Sequence, residues 1–580
     1  DLGFAPLVLA DGRTAGVVDV PGHEDFIRTM VAGASGVDLA LLVVAADEGI
    51  MPQTEEHLLV LEQLGVARGL PVITKADLVD GDWLELVRAE LAERLARSSV
   101  RFGPPVPVSV KDGRGLADLR AQIDTALADL APPGAADLFR LPVDRAFSVA
   151  GIGTVLTGTC WSGTIAVGDE IRIVPGGPGG RVRSVEAHGG AATAAPGGRT
   201  ALGVAGLDRD DVRRGLTAVA AGDPWIESRR LDVRVRPGPH APGLGRRRQR
   251  VRLHLGTGEW IGWLSPRGEA DAGTARITLD RAAVARGGDR FVLRRFSPLE
   301  TLGGGTVLDP APPARAAWLV ELASDDPGAR LRALIARRRL GLPGESLPQL
   351  TGLPPGAAAE LAGSDPALVR CGAHWVLRAS VQELSRQVAA AVSAFHRSQP
   401  AEAGMPIETL RASLARPCWL ADAALNAALK GGAVEQAADR VRTPEFEPAG
   451  AGAAAEVDEI VRRLELAGLN PPTVAELAQA MGRPRIGTTL RIAAAAGRVE
   501  AVSRDRYYGR AALDRFVALL AELGHGGSSI EVGAVRERTG LSRKYLIPLL
   551  EWADARGITT RAGDLRRYRG LKPAGVPAVG

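Results

Sequence analysis

Cysteine is scarce in this chain of 580 residues, which contains only Cys160, Cys371 and Cys418. The three are far apart and form no CxxC pair, so the sequence supports neither a disulfide framework nor a cysteine zinc site. The longest apolar run, Leu39 to Ala46, is much shorter than the roughly 20 residues that a membrane-spanning helix needs. No signal peptide is visible. We therefore predict a cytoplasmic protein without a membrane partner.

Excess charge of one sign is also small. Lys and Arg number 71 and Asp and Glu number 67, which gives a formal net charge of 71 − 67 = +4. This balance permits an RNA partner without demanding one. Hydrophobic residues make up 46% and charged residues 24%, which argues against large-scale disorder. The chain is longer than one hydrophobic core can organise, so several domains are expected.

The hydrophobic pattern changes twice along the chain. The first part alternates apolar strands with amphipathic helices, which is typical of an α/β domain with a parallel sheet, and we expect the strand Leu39 to Ala46 to be covered on both faces. Short β segments with many glycines follow and predict β-barrels. After Pro310 helices return, with short basic or aromatic β elements at a spacing of roughly 60–66 residues. This spacing predicts winged-helix units, each with three helices and a two-stranded wing.

One short motif, Asp19-Val20-Pro21-Gly22-His23, lies between a predicted strand and a helical stretch. In a GTPase, Asp19 would hold magnesium through a water, and the Gly22 backbone N–H would bond the γ-phosphate and sense its loss. His23 would orient the attacking water, which makes it the candidate catalytic residue. A strand-to-helix turn with an incidental histidine remains the alternative.

Two further polar segments each follow a later apolar strand. Thr74-Lys75-Ala76-Asp77 offers a carboxylate that can accept both the N1 and N2 protons of guanine, and adenine would be rejected because it lacks those protons. Ser109-Val110-Lys111 can touch the base edge with hydroxyl and backbone groups. Each segment alone also fits an ordinary polar strand terminus. Together the three lie where open α/β sheets bind ligands, at the carboxyl ends of strands.

Longer segments carry a family resemblance. Asp19 to Arg28 and Val43 to Thr54 resemble the translational GTPases related to elongation factor Tu. The guanine-binding element begins with Thr74, where Asn is commoner, and this form of the element is similar to that of the selenocysteine-specific elongation factors within the group. Five further segments resemble the same selenocysteine-specific branch. They are Val143-Asp144-Arg145-Ala146-Phe147, Thr157-Gly158-Thr159, Gly287 to Arg294, Gly303-Gly304-Gly305 and Val307-Leu308-Asp309-Pro310. Residues 313–445 contribute little to the resemblance.

The resemblance implies a multidomain fold with an incomplete α/β P-loop-type GTPase domain, two β-barrels and a C-terminal array of winged-helix domains. The GTPase part is expected at 1–134, without the P-loop and the first switch. The barrel for the aminoacyl-tRNA end is expected at 138–225 and the second barrel at 229–310. The winged helices are expected at 313–380, 381–447, 452–512 and 513–575.

No GxxxxGK[ST] sequence occurs anywhere in the chain. That loop supplies the backbone cradle, the lysine and the magnesium-binding hydroxyl for a triphosphate. Asp1 to Ala5 resembles the strand after the first switch, and the first residue is not Met, so we expect an N-terminal truncation. The full-length protein is expected to hydrolyse GTP with Mg²⁺. The 580-residue chain alone is expected to bind GTP weakly and to hydrolyse it negligibly.

The resemblance also implies that the first barrel binds the aminoacylated end of the tRNA. A selenol is ionised at neutral pH, so a selective pocket should offer cations. Arg145, His188 and Arg199 are the candidates, with Asp144 near the amino group or orienting an arginine. The alternative is that Asp144 and Arg145 form a surface pair and that His188 only ends a strand.

The C-terminal segment has its own excess of positive charge. Residues 526–570 contain nine Lys or Arg and five Asp or Glu, a local charge of 9 − 5 = +4. Ser542 can cap a helix whose N-terminus and cations would face phosphates, while aromatic and guanidinium groups stack on splayed bases. The residues expected to bind RNA are Arg504, Arg506, Arg543, Lys544, Tyr545, Arg561, Arg566 and Arg567. In the resembling family these modules bind an mRNA hairpin; a solvated basic helix face is the alternative.

The expected function is GTP-dependent delivery of selenocysteyl-tRNA, by a monomer, to the ribosome at hairpin-marked UGA codons, followed by GTP hydrolysis there. One rival is a general aminoacyl-tRNA carrier or an initiation-type GTPase, which would end after the second barrel. The helical region beyond Pro313 argues against it. A second rival is a winged-helix nucleic-acid-binding regulator with a degenerate GTPase domain. A P-loop lysine upstream of Asp1 would support the GTPase over the nucleic-acid-binding regulator.

Overall fold

The chain divides into two compact units, Asp1–Glu383 and Leu384–Gly580. The computed structural model describes residues 2–21, 27–34, 36–128, 136–187, 190–192, 198–238, 248–268, 273–297, 300–400, 402–446, 451–483, 486–525, 528–563 and 565–570. In this part of the chain, no helix combines the length and the apolar character needed to cross a membrane.

The first unit opens with an α/β domain. Strands β3 and β4 pair in parallel, and β5 and β6 pair in parallel with β4. β1 and β2 pair only with each other among the described strands, antiparallel, with Gly3 opposite Asp19. The strands are β1 Gly3–Val8, β2 Thr14–Asp19, β3 Ala40–Ala45, β4 Arg68–Thr74, β5 Arg101–Phe102 and β6 Val106–Pro107. The helices are α1 Ile27–Ala34, α2 Pro52–Leu64, α3 Gly81–Leu95 and α4 Leu116–Ala128.

Local sequence signals set the ends of these helices. α2 has Pro52 at its first position, where no N–H is needed, and ends at Gly65 with a left-handed φ of 70°. Asp80 caps α3, because its Oδ1 accepts a hydrogen bond from Trp83 N at 2.8 Å. On β3, Leu41 and Val43 are 40% and 57% exposed. The expectation that this strand is covered on both faces is therefore wrong for the described residues, which leave one face open.

A six-stranded ring follows. Its order is β10-β12-β8-β7-β13-β9, and it closes because β9 also pairs with β10; β11 extends the edge of β10. The strands are β7 Arg140–Val149, β8 Gly153–Cys160, β9 Glu170–Val174, β10 Gly179–Ala187, β11 Gly190–Ala192, β12 Gly198–Ala205 and β13 Thr217–Ala220. Apolar side chains from alternate positions, such as Leu141 and Val143, fill the interior.

The second barrel is closed in the order β14-β17-β16-β15-β18-β19. Its strands are β14 Glu227–Pro237, β15 Gln249–Leu255, β16 Gly258–Pro266, β17 Thr274–Val284, β18 Arg290–Arg295 and β19 Thr301–Asp309. The run Gly303-Gly304-Gly305 lies in β19. A Cβ on these glycines would lie 2.2, 2.4 and 2.0 Å from backbone oxygens of neighbouring strands, and at Gly304 also 2.6 Å from Gln63 Cβ of α2. Side chains are excluded there because β19 is tightly enclosed.

Buried ion pairs join the two barrels. The guanidinium of Arg140 on β7 donates to both carboxylate oxygens of Asp289, at 2.7 and 2.9 Å. Arg286 pairs in the same bidentate way with Asp137, with both distances 2.8 Å. Such forked pairs fix orientation as well as distance. The barrels are therefore held in one relative arrangement within the first unit.

The first helical group packs against the second barrel. Its elements are α5 Pro327–Ala336, β20 Leu342–Pro343, α6 Leu347–Thr351, α7 Pro355–Ser364, β21 Leu368–Cys371 and β22 His374–Leu377. Arg337 reaches two barrel carboxylates, Asp232 and Asp309, which are both fully buried. Arg276 also pairs with Asp232, and Arg338 with Asp309. This buried five-residue cluster, called the barrel–helix cluster below, makes the group part of the first unit.

The helix α8 Arg378–Ser398 leads from the first unit into the second, which contains three further helical groups. Their helices are α9 Ile407–Leu414, α10 Cys418–Lys430, α11 Ala451–Ala467, α12 Val474–Ala480, α13 Ile486–Ala495, α14 Arg510–Leu523, α15 Val532–Thr539 and α16 Arg543–Ala555. Their strands are β23 Met405–Pro406, β24 Glu435–Ala437, β25 Arg440–Arg442, β26 Val499–Ser503, β27 Arg506–Gly509, β28 Ser529–Glu531, β29 Thr559–Ala562 and β30 Leu565–Tyr568.

The small sheets of the helical groups differ from the expected two-stranded wings. Three of the four have a third short strand, as in β28-β30-β29, and only β26-β27 is two-stranded in the described residues. The added strands β20, β23 and β28 contain two or three residues each. Such short strands form because the tertiary fold brings a partner strand beside them, so no periodic hydrophobic pattern in the sequence predicts them.

Candidate functional site

The two segments predicted to contact guanine meet at the carboxyl ends of β4 and β6. Ala76 N donates a hydrogen bond to Val108 O at 3.2 Å, and Lys111 Nζ lies 4.0 Å from Asp77 Oδ2. The Asp77 side chain is only 16% exposed. Ser109 is fully buried, and its Oγ accepts hydrogen bonds from Lys111 N and Asp112 N. Val110 is 83% exposed. These loops form one surface at the edge where parallel sheets bind ligands.

Lys75 has an unusual backbone conformation. Its φ is 55°, in the left-handed region that a residue with a Cβ rarely occupies. Its ammonium donates to Asp47 Oδ2 at 3.1 Å and to Glu48 Oε1 at 3.3 Å, and these hydrogen bonds raise the pKa of Lys75 above its ordinary value. Backbone strain of this kind concentrates at binding sites, because surrounding contacts must enforce it. The conformation therefore supports the assignment of this loop to a site.

The switch motif is described only in part. Asp19 ends β2, and a Cβ on the facing Gly3 would lie 3.1 Å from Asp19 Cβ, so a larger residue at position 3 would press against Asp19. Val20 and Pro21 follow it, and Val20 packs beside Met30 and Val31 of α1. Gly22 and His23 lie outside the described residues. Their predicted roles at the γ-phosphate and the attacking water stay predictions.

These residues fit a guanine nucleotide at its base. The shielded carboxylate of Asp77 suits a bidentate acceptor, and Lys75 and Ser109 lie on the same edge. For magnesium, Asp19 offers one carboxylate, and no group of three His, Cys, Asp or Glu able to hold a metal occurs among the described residues. Magnesium usually combines one or two carboxylates with substrate phosphates and waters, so a single aspartate is compatible with it.

Three of the four predicted aminoacyl-end residues come together. The guanidinium of Arg199 on β12 forms a bidentate pair with Asp144 of β7 and lies 3.3 Å from Thr157 Oγ1. Arg145 NH2 donates to Leu2 O at 3.0 Å. The Asp144 side chain is 7% exposed and that of Arg199 20% exposed, so they are not an ordinary surface pair. His188 lies outside the described residues.

Sequence reasoning missed an aromatic member of this cluster. The Phe4 ring of β1 lies under both arginines, with the Arg199 Cζ 3.8 Å and the Arg145 Cζ 5.6 Å from its centroid. A cation over an aromatic face is stabilised by the ring quadrupole. Phe4 therefore links the first barrel to the strand pair that ends at Asp19. Nothing in the local sequence marks Phe4, because its contacts are more than 140 residues away along the chain.

The seven cationic residues predicted to bind RNA separate into two groups, and Tyr545, the eighth predicted residue, is half-buried. Arg504, Arg543, Lys544, Arg561 and Arg567 are exposed. Arg506 and Arg566 are 4% exposed and bind within the protein: Arg506 NH1 donates to Pro471 O at 2.8 Å, and Arg566 Nε donates to Asp554 Oδ2 at 3.0 Å. Both guanidinium groups are enclosed and already hydrogen-bonded, so we do not expect either of them to contact RNA directly.

The helix α16 starts where the sequence predicts. Ser542 is its N-cap residue by position, but the Ser542 side chain makes no capping hydrogen bond. Leu546, Leu549 and Leu550 are fully buried, and Trp552 packs against the same core. Arg543 and Lys544 occupy the exposed first turn, next to the free backbone N–H groups of the helix end. This arrangement concentrates positive potential at one end of α16.

Comparison with known proteins accounts for most of the chain. The elongation factor Tu GTP binding domain matches residues 8–129, and elongation factor Tu domain 2 matches residues 153–219. The beta-barrel domain of selenocysteine-specific elongation factor matches residues 232–314, and the winged helix of elongation factor SelB matches residues 523–568. The GTPase domain, the two barrels and the C-terminal winged helix are thereby confirmed.

Full-length similarity agrees with these matches. The selenocysteine-specific elongation factor of Desulfomicrobium baculatum is 33% identical over 98% of this chain and 93% of its own length, and that of Escherichia coli is 31% identical over 97% and 92%. The crystal structure of bacterial selenocysteine-specific elongation factor EF-Sec superposes with a TM-score of 0.65 at 25% identity and covers 98% of this chain and 93% of that one. The chain belongs to the selenocysteine-specific elongation factor family.

Proposed function

We propose that the protein delivers selenocysteyl-tRNA to the ribosome at UGA codons marked by an mRNA hairpin, and that GTP is hydrolysed there. The observation that carries the proposal is the cluster of Asp144, Arg145 and Arg199 over Phe4. The cluster combines two arginines with one aspartate and so holds one net positive charge beside the GTPase domain. The names of the two relatives, both selenocysteine-specific elongation factors, support this substrate.

The cationic cluster suits an ionised selenol better than a neutral side chain. Because Arg199 and Asp144 are shielded from water, their electrostatic effect is weakly screened. Seryl-tRNA carries a hydroxyl that stays neutral, so it would gain less from the same cluster. Discrimination would therefore come from charge, which distinguishes the two aminoacyl groups more sharply than their size does.

On the nucleotide side, Asp77 would accept the guanine N–H protons, and Lys75 and Ser109 would line the base edge. Thr74, Val110 and Lys111 complete the segments assigned to the base. Asp19 would hold magnesium through a water, with Val20, Pro21 and Gly22 forming the turn beside the γ-phosphate. His23 would orient the attacking water. GTP, when bound, would supply the γ-phosphate, and the Gly22 backbone N–H would bond that phosphate and so sense its loss.

Replacing Arg199 by alanine tests the aminoacyl assignment. We expect the ratio of selenocysteyl-tRNA to seryl-tRNA affinity to fall about tenfold, because a shielded cation is removed from the pocket. The affinities would be measured by protection of the aminoacyl ester from hydrolysis with the complete, GTP-loaded factor. Arg183→Ala, on the exposed side of the same barrel, is the matched control. An unchanged ratio in Arg199→Ala would remove Arg199 from the pocket.

Replacing Arg543 by alanine tests the RNA-binding end. We expect the variant to bind hairpin RNA more weakly and to reduce the slope of log K against log salt by about 1, because one phosphate contact is lost. Binding would be titrated at several salt concentrations with a hairpin selected by the unmodified protein from a randomised-loop pool. Arg462→Ala removes an exposed arginine on α11 and is the control. If affinity and slope both match the unmodified protein, this face of α16 does not bind RNA.

A further inference from the structure

The last two helical groups are the third, with α11 to α13 and the strands β26 and β27, and the fourth, with α14 to α16 and the strands β28 to β30. The third group has a hydrophobic core of its own, and the core of the fourth group includes side chains from the third. Tyr508, at the end of β27 in the third group, is fully buried among side chains of the fourth group, including Phe516, Leu546 and Leu550. Leu469 and Val502 of the third group pack against the same cluster. Burial raises the pKa of Tyr508 to about 12. The third and fourth groups are therefore joined by a buried hydrophobic contact, and the pair is called the tandem reader below; it spans the described part of residues 451–570.

A single carboxylate strengthens this joint from the side of the third group. Glu500 Oε1 on β26 accepts a hydrogen bond from Trp552 Nε1 of α16 at 2.9 Å and pairs with Arg556, the residue that caps the C-terminus of that helix. Its Oε2 lies 3.4 Å from Arg510 NH1. The Glu500 side chain is 13% exposed, and shielding of this kind makes charge-assisted hydrogen bonds stronger. These contacts hold the C-terminal half of α16.

Arg506 holds the other end of the same helix. Its Cζ lies 4.8 Å from the centroid of the Tyr545 ring, in the first turn of α16, and its NH1 is fixed by Pro471 O at 2.8 Å. On the exposed side, Lys544 Nζ lies 5.6 Å from the same ring centroid. Tyr545 therefore lies beside a buried arginine of the third group and an exposed lysine of the fourth.

The wing turn of the third group is tied to this place as well. Val474 N donates to Asp505 O at 2.8 Å, and Ser503 Oγ donates to Asp505 Oδ1 at 2.8 Å, so the turn that carries Arg504 is braced on both sides. Exposed cations of both groups lie close to the contact between Arg506 and Tyr545 along the chain. Arg504 is two residues from Arg506, and Arg543 and Lys544 are within two residues of Tyr545.

We infer that Arg506 is a positioning residue for RNA recognition, which fixes the Tyr545 ring and the first turn of α16 against the wing of the third group. The inference rests on the proposed hairpin-binding function. Arg506 itself is too enclosed to touch RNA. It acts by holding Tyr545 in a defined orientation for stacking and by keeping the cations of the two groups on one continuous surface. RNA is therefore recognised by the tandem reader and not by the fourth group alone.

This role predicts a distinctive effect of removing the guanidinium. Arg506→Ala is expected to weaken binding of the selected hairpin about tenfold, because a desolvated cation–aromatic contact and its ordering effect are lost. The salt slope should stay unchanged within about 0.5, since Arg506 neutralises no phosphate. Arg543→Ala differs because it should lower the slope. Arg506→Lys keeps a cation beneath the ring and should recover most of the affinity.

Coupling between the two residues gives the second measurement. Tyr545→Leu removes the ring from a half-buried position, and the double variant with Arg506→Ala should bind the hairpin no more weakly than the worse single variant. Arg498→Ala, in the same group but half exposed and paired with Asp458, is the control. Thermal unfolding of every variant would show whether the fold survives. If Arg506→Ala does not fold, hairpin binding by Tyr545→Leu still tests whether the contact between the two residues supports RNA binding.

The possible outcomes separate the two proposals. If the unmodified protein binds no hairpin better than a single-stranded RNA of the same composition, the hairpin function fails. If it binds the hairpin but Arg506→Ala binds equally well, or if the losses in the double variant add, the positioning role is overturned. A lowered salt slope in Arg506→Ala would mean that the guanidinium contacts phosphate directly, which also contradicts the inference. Weaker binding with an unchanged slope, non-additive losses and recovery by lysine support it.

Discussion

Replacing Arg337 by alanine is expected to destabilise the first unit by about 3 kcal/mol, because it leaves buried carboxylates short of a partner. The Arg337 side chain is 1% exposed, and its NH1 lies 2.9 Å from Asp309 Oδ2. It also pairs with Asp232 and donates from Nε to Ala317 O at 3.0 Å. Arg276 and Arg338 remain as second partners of the two aspartates. The expected loss of stability is therefore at the lower end of what breaking a buried ion pair costs.

The measurement is urea unfolding of the complete chain, with tryptophan fluorescence as the signal. We expect the earliest transition that involves the first unit to shift to lower urea, since removal of Arg337 loosens the first helical group from the second barrel. The neighbouring Arg339 is exposed, so Arg339→Ala should change stability by no more than about 0.5 kcal/mol. Equal unfolding curves for Arg337→Ala and Arg339→Ala would show that the barrel–helix cluster does not stabilise this joint.

Replacing Gly305 by alanine is expected to destabilise the second barrel by about 3 kcal/mol, at the upper end for overpacking of a closed core. The added Cβ would lie 2.0 Å from Arg234 O and 2.8 Å from the Phe291 ring, and neither neighbour is a flexible side-chain end. Relief would need separation of β14 from β19, which breaks ladder hydrogen bonds near Arg234.

Gly222 is the matched control, because no atom lies within 4 Å of the place where its Cβ would be. Gly222→Ala should be nearly neutral, and both variants would be compared by thermal unfolding and by the yield of folded protein. Gly305→Ala with the same unfolding midpoint as Gly222→Ala would contradict the steric argument. The family resemblance of Gly303-Gly304-Gly305 would then need another physical cause.

Local features of the fold could be predicted from the sequence. The strand after Leu39, the helix from Gln53 and the aromatic β element at Tyr508 all depend on short-range hydrophobic periodicity, and the structure has β3, α2 and β27 there. The family resemblance is confirmed by the relatives and the domain matches. The domain boundaries and the roles of individual site residues stay predictions.

Features that depend on distant contacts could not be predicted. Arg506 and Arg543 look equally basic in the sequence, yet one is enclosed and the other exposed, because burial depends on how the third and fourth groups pack. Phe4 joins the aminoacyl cluster only through folding of the first barrel against β1. The open face of β3 could not be predicted for a related reason. An apolar run indicates a buried strand but does not show which neighbouring elements cover its two faces.

The burial of Tyr508 limits how the C-terminal region can be divided for engineering. A fusion protein that begins at Leu513 would leave this ring behind and open a cavity among Phe516, Leu546 and Leu550. It would also omit Glu500 and Arg506, which hold the two ends of α16. A transplantable cassette should instead begin before α11, near residue 451, so that both helical groups are inherited together.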